Sequence, residues 1–351
     1  MRVVVVGATG NAGTSLVPAL GGDPSVDSIL GVARRLPKLD VPKTEWAEAD
    51  IASDDLVPLF RGADVVVHLA WVIQPSRDQA RLWRVNVEGS TRLFRAVADA
   101  NVPALVYASS VGAYSRGPKD RAVDESWPTG GIPTSFYGRH KAEVERRLDR
   151  FERERPGVRV VRLRPALIFK REAASGIRRL FAGPFLVNPV VHPRLIPLVP
   201  DIPNLRFQAV HSHDVGDAYR LAVTRDVRGA FNVAADPVLD PQELGRALRA
   251  RPVPVPGRLA RRLADVTWRL HLQPTPPGWV DLGLGVPIMD TKRAREELGW
   301  EPRHTAVEAL LDLLAGIREG AGAETPPLSP ATGGPARVEE IATGVGDREK
   351  L

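Results

Sequence analysis

The sequence predicts an α/β protein with a doubly wound parallel sheet and a smaller, mostly C-terminal substrate-binding domain. A chain of 351 residues is long enough for one large domain and a smaller companion. Apolar runs alternate with helix-length segments through the first half of the chain, which indicates parallel strands joined by right-handed crossovers. The chain also opens with a β-branched run, a glycine-rich turn and a helical pattern, as a βαβ unit does.

The first strand is predicted at Val3–Val6, and the helical pattern after the turn runs through Leu16, Val17 and Leu20. Pro18 falls within that helix, where a proline removes one hydrogen bond and favours a kink. Further strands are predicted at 28–33, 64–70, 104–109 and 158–163, and helices at 54–60, 87–100 and 137–154. This alternation is typical of the Rossmann fold, in which ligands bind at the carboxyl ends of the strands.

The composition of the sequence changes after Arg164-Pro165, where prolines begin to interrupt the apolar runs. Two proline-broken stretches, 184–203 and 252–287, are predicted to be irregular and to face the substrate, with a helix at 213–223 and a strand at 230–233 between them. From residue 320 the chain is rich in Gly, Pro, Ala, Thr, Ser and Glu without periodicity, which predicts disorder. The domain boundaries follow: residues 1–170 and 207–235 for the dinucleotide-binding domain, 171–206 and 236–319 for the substrate-binding part, and 320–351 for a disordered tail.

Composition excludes several classes of function. No apolar run approaches the ~18 residues of a membrane helix, and no leader-like segment precedes Arg2, so we expect a cytoplasmic protein without a membrane partner. There is no cysteine, and the seven histidines form no H-x-x-x-H pair, so no metal site is expected. The net charge of +6 comes from scattered arginines such as Arg178-Arg179 and Arg261-Arg262, which we interpret as solvated helix faces rather than a nucleic-acid surface.

The glycine-rich turn is the candidate cofactor site. Gly7, Gly10 and Gly13 stand at G-x-x-G-x-x-G spacing between a strand and a helix, where a pyrophosphate would meet the N–H groups of the helix N-terminus. Ala33 stands where an acid would normally bind the adenosine ribose of NAD, and Arg34 and Arg35 follow it. Because guanidinium grips phosphate bidentately, this pair favours NADP over NAD, unless both arginines are solvated loop residues.

The ordered chain resembles the extended short-chain dehydrogenase/reductase family, and within it the group of NAD-dependent epimerases and dehydratases. The motifs that carry this resemblance lie in order from Met1 to about Ile317: Gly7-Ala8-Thr9-Gly10-Asn11-Ala12-Gly13, Asp50-Ile51, His68-Leu69-Ala70-Trp71, Val85-Asn86-Val87-Glu88-Gly89-Ser90, Val106-Tyr107-Ala108-Ser109-Ser110, Tyr137-Gly138-Arg139-His140-Lys141, Arg164-Pro165-Ala166, His211-Ser212-His213-Asp214-Val215 and Glu297-Leu298-Gly299-Trp300-Glu301-Pro302.

The resemblance implies a role for each matched residue. Asp50 would bind the adenine amine and Ile51 would pack on its ring, while Asn86 would support the active-site backbone. The remaining cofactor contacts that it implies are Gly7, Thr9, Gly10, Asn11, Ala12, Gly13, Leu69, Ala70, Trp71, Tyr137, Lys141, Pro165 and Ala166.

Tyr137 and Lys141 are four residues apart on a predicted helix and therefore lie on one face of it. An ammonium beside a phenol, with the positive nicotinamide, would favour phenolate and tune the tyrosine as a base. In the family Ser110 would hold the substrate oxygen, Tyr137 would exchange its proton, and Lys141 would also hold the nicotinamide ribose. Ser110 is preferred to Ser109 because it stands four residues before Tyr114, which is the spacing in the family.

Differences from the family's motifs exclude some of its reactions. Val111 and Gly112 follow Ser110 where the 4,6-dehydratases carry an acidic pair, and no cysteine is available for the epimerase-reductase reaction. Oxidation or reduction of a secondary alcohol or ketone remains, with nucleotide-sugar C4 epimerisation as the alternative and a non-catalytic dinucleotide sensor as a third hypothesis. The stretch 198–207 lacks the glycine-rich, arginine-containing pattern of the nucleotide-sugar enzymes, and its apolar character suits a less polar small-molecule substrate. Helices of this fold often pair, so a homodimer is also expected.

Overall fold

The computed structural model describes residues 1–73, 77–181 and 196–331. Its strands are β1 (Arg2–Val6), β2 (Ser28–Ala33), β3 (Thr44–Glu48), β4 (Val65–His68), β5 (Ala104–Ala108), β6 (Ala122–Val123), β7 (Arg159–Pro165), β8 (Leu167–Phe169), β9 (Leu198–Asp201), β10 (Phe207–His211), β11 (Gly229–Val233), β12 (Ala235–Leu239), β13 (Arg251–Pro254) and β14 (Ile288–Met289). Its helices are α1 (Gly13–Gly21), α2 (Val57–Phe60), α3 (Gln79–Trp83), α4 (Gly89–Asp99), α5 (Phe136–Glu154), α6 (Ala174–Phe181), α7 (Ser212–Thr224), α8 (Pro241–Leu248), α9 (Gly257–Arg269), α10 (Gly278–Gly285), α11 (Lys292–Glu296) and α12 (Ala306–Glu319).

The central sheet has seven strands in the order β11-β7-β5-β4-β1-β2-β3. Every pairing in it is parallel. The order runs outward from β1 in both directions, so the crossovers place helices on both faces. This confirms the predicted doubly wound Rossmann fold.

The four valines of β1 explain why this strand lies at the centre. Val3 and Val5 pack in the layer that contains Leu16 of α1 and Tyr219 of α7. Val4 and Val6 pack in the opposite layer, with residues of α4 and α5. Because successive side chains of a strand point to opposite faces, a strand buried on both sides has no polar position in its sequence.

Two features of the large domain differ from the sequence-based expectation. β3 was not among the predicted runs, because it is an edge strand of mixed polarity that pairs with β2 alone. Pro18 lies inside α1, but the helix continues from Gly13 to Gly21. At this sixth position of the nine-residue helix the proline removes one hydrogen bond without ending the element.

The smaller part of the chain departs further from the prediction. Residues 207–211 had been placed in the dinucleotide-binding domain, yet β10 pairs with β8 and β12 in a separate three-stranded sheet that α12 covers. The stretch 252–287, predicted to be irregular, contains α9 and α10. Arg178 and Arg179 are each 6% exposed, so the interpretation of this pair as a solvated face is wrong. Most of the predicted irregular stretch 184–203 lies outside the described residues.

Among the residues that the structure describes, no helix is long and apolar enough to cross a membrane. The same residues contain no group of three or more histidine or acidic side chains arranged to hold a metal ion.

The first part of the predicted tail packs against the body of the protein. Thr325 and Leu328 are buried, and the Leu328 N–H donates to the Thr325 carbonyl (3.0 Å). The Pro327 carbonyl accepts from Arg179 Nη2 (3.1 Å) and the Leu328 carbonyl accepts from Ser175 Oγ (3.3 Å), both on α6. For residues 320–331 the structure therefore differs from the expectation of disorder. A few tertiary contacts are enough to order this segment, although its sequence has no hydrophobic periodicity. The rest of the predicted tail lies outside the described residues.

This packing leads to a truncation prediction. A chain that ends at Gly320 should unfold a few degrees below a chain that ends at Ala331, because burial of Leu328 is worth about 1.5–3 kcal/mol. Thermal unfolding of the two truncated chains isolates the effect of residues 321–331. Equal midpoints would show that this segment contributes nothing to stability.

Candidate functional site

The glycine-rich turn connects β1 to α1 and leaves space for an anion. Gly7 has φ +87°, and a Cβ there would lie 2.5 Å from the Ala70 nitrogen. A Cβ at Gly13 would lie 2.5 Å from the Ala8 carbonyl oxygen, so this glycine allows α1 to pack on the turn. The cap position, Ala12, has no side-chain acceptor. The N–H groups of Thr14, Ser15 and Leu16 donate to the Gly10 and Ala12 carbonyls, so a phosphate here would meet the N–H groups that precede them in the turn.

One cavity of about 510 Å³ begins at this turn and follows the carboxyl ends of the strands. The sequence-predicted residues that line it are Gly7, Thr9, Gly10, Asn11, Ala12, Arg34, Arg35, Asp50, Ile51, Leu69, Ala70, Trp71, Ser110, Tyr137, Lys141, Pro165 and Ala166. Gly13 and Asn86 do not line it. Residues up to 159 positions apart in the chain are thus brought to one edge of the sheet.

Two polar atoms in this cavity wall fit a polar ligand. Asn11 Oδ1 and Trp71 Nε1 are buried and have no hydrogen-bond partner in the part of the chain that the structure describes. The other end of the Asn11 amide donates to the Ile168 carbonyl (3.0 Å), which orients the group. Because an unpaired buried polar atom is unfavourable, the wall is complete only with a ligand that supplies a donor and an acceptor. The residues present therefore fit a dinucleotide.

The adenosine end of the cavity is bordered by β2 and the turn after β3. Arg34 and Arg35 follow β2 and are exposed to solvent at the rim. Asp50 Oδ1 accepts from the Ala52 N–H (2.8 Å), and its carboxylate attracts the Arg34 guanidinium. Ile51 is buried and packs against Gly89. Cationic and acidic groups therefore stand side by side where a ribose or its phosphate would lie.

The two adjacent serines after β5 have different environments. Ser110 lines the cavity beside Tyr137, and its Oγ accepts from the Gly112 N–H (3.0 Å). Ser109 Oγ instead donates to Glu145 Oε1 (2.5 Å) beneath the cavity floor. The Ser109 hydroxyl is thus committed to the protein, while the Ser110 hydroxyl faces the tyrosine.

Tyr137 lies at the first turn of α5, between two tryptophan rings. Its ring centroid is 5.2 Å from that of Trp279 and 6.0 Å from that of Trp71. Gly112 allows this position, since a Cβ there would come within 2.7 Å of the phenol ring. Burial raises the pKa of Tyr137 to about 12, although the neighbouring Ser110 hydroxyl acts to lower it. In the protein itself the phenol is therefore protonated at neutral pH, and the phenolate expected from the sequence depends also on the positive charge of the nicotinamide.

Lys141 is buried one turn further along α5. Its Nζ donates to the Ala108 carbonyl (2.7 Å) and lies 3.5 Å from the centroid of the Trp71 ring. Burial lowers the pKa of Lys141 well below its ordinary value, and the negative charge of Glu145 opposes this. Nζ is thus hydrogen-bonded to the backbone of β5 and lies 5.9 Å from the centroid of the Tyr137 ring.

A buried ionic network under the site was missed by sequence reasoning. Glu145 accepts from Arg162 Nη1 (2.8 Å) and from Arg164 Nε (2.9 Å), and it is only 1% exposed. Burial acts to raise the pKa of Glu145, but the two guanidinium groups lower it to about 2. The residue spacing could have predicted this network. Tyr137, Lys141 and Glu145 share one face of α5, and the two arginines lie on one side of β7.

Asn86 acts on the backbone rather than on the cavity. It lies in a π-helical turn, Arg84–Glu88, ahead of α4. Its Oδ1 accepts from the Val72 N–H (2.7 Å) and its Nδ2 donates to the Val72 carbonyl (2.9 Å). This two-way contact fixes the chain beside Trp71.

The far end of the cavity is lined mainly by apolar side chains: Ile73, Ile177, Leu180, Phe181, Phe207, Trp279, Leu282, Val286 and Leu328. The polar side chains there are held by the protein. The Gln208 amide donates to the Met289 carbonyl (3.0 Å) and accepts from its N–H (2.7 Å). Arg179 donates through Nε and Nη2 to the carbonyls of Ser175 and Pro327. This end is therefore suited to an apolar ligand.

A glycine-rich turn at the centre of a doubly wound sheet, with a serine, a tyrosine and a lysine along the same cavity, defines the extended short-chain dehydrogenase/reductase class. The family model of the NAD dependent epimerase/dehydratase family matches residues 3–234, and the chain belongs to this family.

Individual proteins resemble this chain at 21–29% sequence identity. An uncharacterised protein of Mycobacterium tuberculosis is 28% identical over 327 residues, which are 90% of this chain and 83% of the relative. The decarboxylating sterol-4-alpha-carboxylate 3-dehydrogenase of Candida albicans is 29% identical over 190 residues, 50% of this chain and 54% of that one. The solved structure of MoeE5 in complex with UDP-glucuronic acid and NAD has a TM-score of 0.64 and 21% identity, covering 91% of this chain and 99% of that one. The structural likeness concerns the fold.

Proposed function

We propose that this protein is an NAD(P)-dependent oxidoreductase that transfers hydride at a secondary alcohol or ketone carbon, with Tyr137 as the acid/base. The observation that carries the proposal is the convergence of Ser110, Tyr137 and Lys141 on the cavity that begins at the glycine-rich turn. A sensor would not require a phenol paired with a serine at this position. Membership of the family supports a nicotinamide dinucleotide as the cofactor.

The roles follow from the geometry of the side chains. When bound, the nicotinamide supplies or takes the hydride. In the direction of reduction, Ser110 donates a hydrogen bond to the ketone oxygen and Tyr137, protonated at neutral pH, gives its proton to that oxygen. Lys141 holds the ribose hydroxyls, and the Trp71 and Trp279 rings keep water away from the phenol.

The apolar end of the cavity favours an apolar secondary alcohol or ketone over a nucleotide sugar. A diphosphate requires cations or N–H donors, whereas this end is lined mainly by hydrocarbon; its cation Arg179 donates through Nε and Nη2 to backbone carbonyls, and the Gln208 amide is bonded to Met289. The similarity of about half of the chain to a sterol dehydrogenase supports this choice. Nucleotide-sugar C4 epimerisation is the alternative, supported by the fold shared with a protein that binds UDP-glucuronic acid.

A substrate panel tests the proposal. The protein is incubated with NADP(H) or NAD(H) and either steroid and terpenoid secondary alcohols and ketones or UDP-glucose and UDP-glucuronic acid. We expect stoichiometric change of the nicotinamide absorbance with the apolar compounds. Conversion of a UDP-sugar to its C4 epimer without net cofactor change would establish the alternative. Dinucleotide binding with no turnover across the panel would favour the sensor.

The cofactor preference is a separate prediction. We expect NADP(H) to bind more tightly than NAD(H), and Arg34→Ala to weaken NADP(H) alone. Loss of a charge-assisted bond to phosphate is worth about 1.5–3 kcal/mol, or roughly tenfold to a hundredfold in Kd. Titration with both cofactors measures it, with Arg150→Ala on the exposed side of α5 as the matched control. Tighter NAD(H) binding by the unmutated protein would refute the preference.

A further inference from the structure

The helix α9 exposes an apolar surface. Leu259, Leu263, Val266 and Leu270 are 48%, 55%, 52% and 62% exposed, and no residue of α9 is buried. Their spacing of four, three and four residues places them along one side of the helix. We call these four residues the leucine face.

A row of arginines borders the leucine face. Arg258, Arg262 and Arg269 follow at helical spacing along its edge and are exposed, although Arg269 pairs with Asp265 (3.0 Å) on the same helix. The opposite side of α9 holds the helix to the protein. There the Arg77 guanidinium lies 4.5 Å from the Trp268 ring centroid, and Arg261 pairs with Asp281 of α10 (2.9 Å).

We propose that α9 docks on an anionic lipid bilayer surface, with the leucine face in the acyl-chain boundary and the arginine row at the phosphates. A helix with leucines on one side and arginines beside them is suited to this position in the interface. The net charge of +6 adds long-range attraction to an anionic surface. The expected absence of a membrane partner was based on the lack of a spanning segment, and a surface contact needs none.

A second copy of the chain is the competing occupant of the leucine face. Two copies packed antiparallel through this face would bring both arginine rows to the same edge, and like charges across an interface are unfavourable. The described residues of α9 carry one acidic side chain, Asp265, which is already paired. An anionic surface, in contrast, satisfies the arginines and the leucines at once.

The position of α9 connects the proposed surface to the cavity. α9 packs on α10, whose Trp279 lines the cavity beside Tyr137. Phe181 also lines the cavity, contacts the Trp279 ring (5.6 Å between centroids) and is 43% exposed. A substrate dissolved in the bilayer would thus meet an apolar path to the site. This last step alone rests on the proposed function.

Vesicle binding tests the docking without any substrate. The full chain is centrifuged with vesicles of phosphatidylcholine alone or of phosphatidylcholine mixed with phosphatidylglycerol. We expect binding to the mixed vesicles that weakens with salt. Leu263→Glu and Val266→Glu should each reduce it about tenfold or more, since each removes buried apolar area and adds a negative charge. Leu36→Glu, a 52% exposed leucine of the large domain, is the matched control and should bind as the unmutated chain does.

Three outcomes would overturn the docking proposal. The first is no binding to the mixed vesicles, and the second is equal loss of binding in Leu36→Glu and Leu263→Glu. The third is a dimer in solution that Leu263→Glu converts to a monomer while vesicle binding is lacking, which would assign the leucine face to a second copy. None of these results depends on turnover, so failure of the docking leaves the proposed function untouched.

Discussion

Tyr137→Phe is expected to abolish turnover while dinucleotide affinity stays nearly unchanged. Phenylalanine keeps the ring between Trp71 and Trp279, at 6.0 and 5.2 Å, and removes only the hydroxyl that faces Ser110. Acid/base participation is typically worth ~10²–10⁴ in rate. The measurement is kcat with a substrate from the panel, together with the Kd of the dinucleotide.

Tyr219→Phe is the matched control for this substitution. Tyr219 is also buried and lines the same cavity, but its hydroxyl has no hydrogen-bond partner among the described residues. Removal of that hydroxyl should leave kcat within about twofold, because no proton transfer or hydrogen bond is lost. A Tyr137→Phe protein with turnover like that of Tyr219→Phe would place the acid/base elsewhere, although the fold would stand.

The second large effect is expected for a substitution in the buried ionic network, and it concerns the free energy of unfolding. Glu145→Gln should lower the free energy of unfolding by about 3–5 kcal/mol, because it leaves Arg164 buried without its carboxylate partner, whereas Arg162 keeps Asp149 and Glu152. Both guanidinium groups are about 5% exposed and donate to the Glu145 carboxylate at 2.8–3.1 Å. Denaturant unfolding of the two proteins measures the difference.

Glu143→Gln is the control on the same helix. Glu143 pairs with Arg146 and Arg147 near the surface, where such pairs are worth about 0–1 kcal/mol. A loss in Glu145→Gln no larger than in Glu143→Gln would contradict the importance of the buried network.

The pH dependence of stability gives a second measurement of Glu145. Its pKa falls from an ordinary 4.5 to about 2 on folding, so the folded state binds the proton more weakly than the unfolded state. The stabilisation is therefore fully present above about pH 5 and is lost as the pH falls toward 2. The difference between the unmutated chain and Glu145→Gln should shrink over that window.

Much of the large domain follows from local sequence. The unbroken valines of β1 indicate a strand buried on both faces, and Gly7 and Gly13 stand where any Cβ would collide with Ala70 or Ala8. Tyr137 and Lys141 needed only the periodicity of α5 to be placed on one face. Such features are predictable because they depend on residues a few positions apart.

Other features were decided by tertiary structure alone. Periodicity shows that a side chain will be buried but not what it will pack against, so the sequence could not assign β10 to the three-stranded sheet or bring Thr325 and Leu328 onto α6. The raised pKa of Tyr137 reflects burial between two tryptophans, one of them 142 positions away, which the local sequence does not show. The sequence by itself thus determined the fold class and the candidate catalytic side chains. The network beneath them, the protonation of the tyrosine and the apolar end of the cavity depend on contacts between distant segments, which only the folded chain defines.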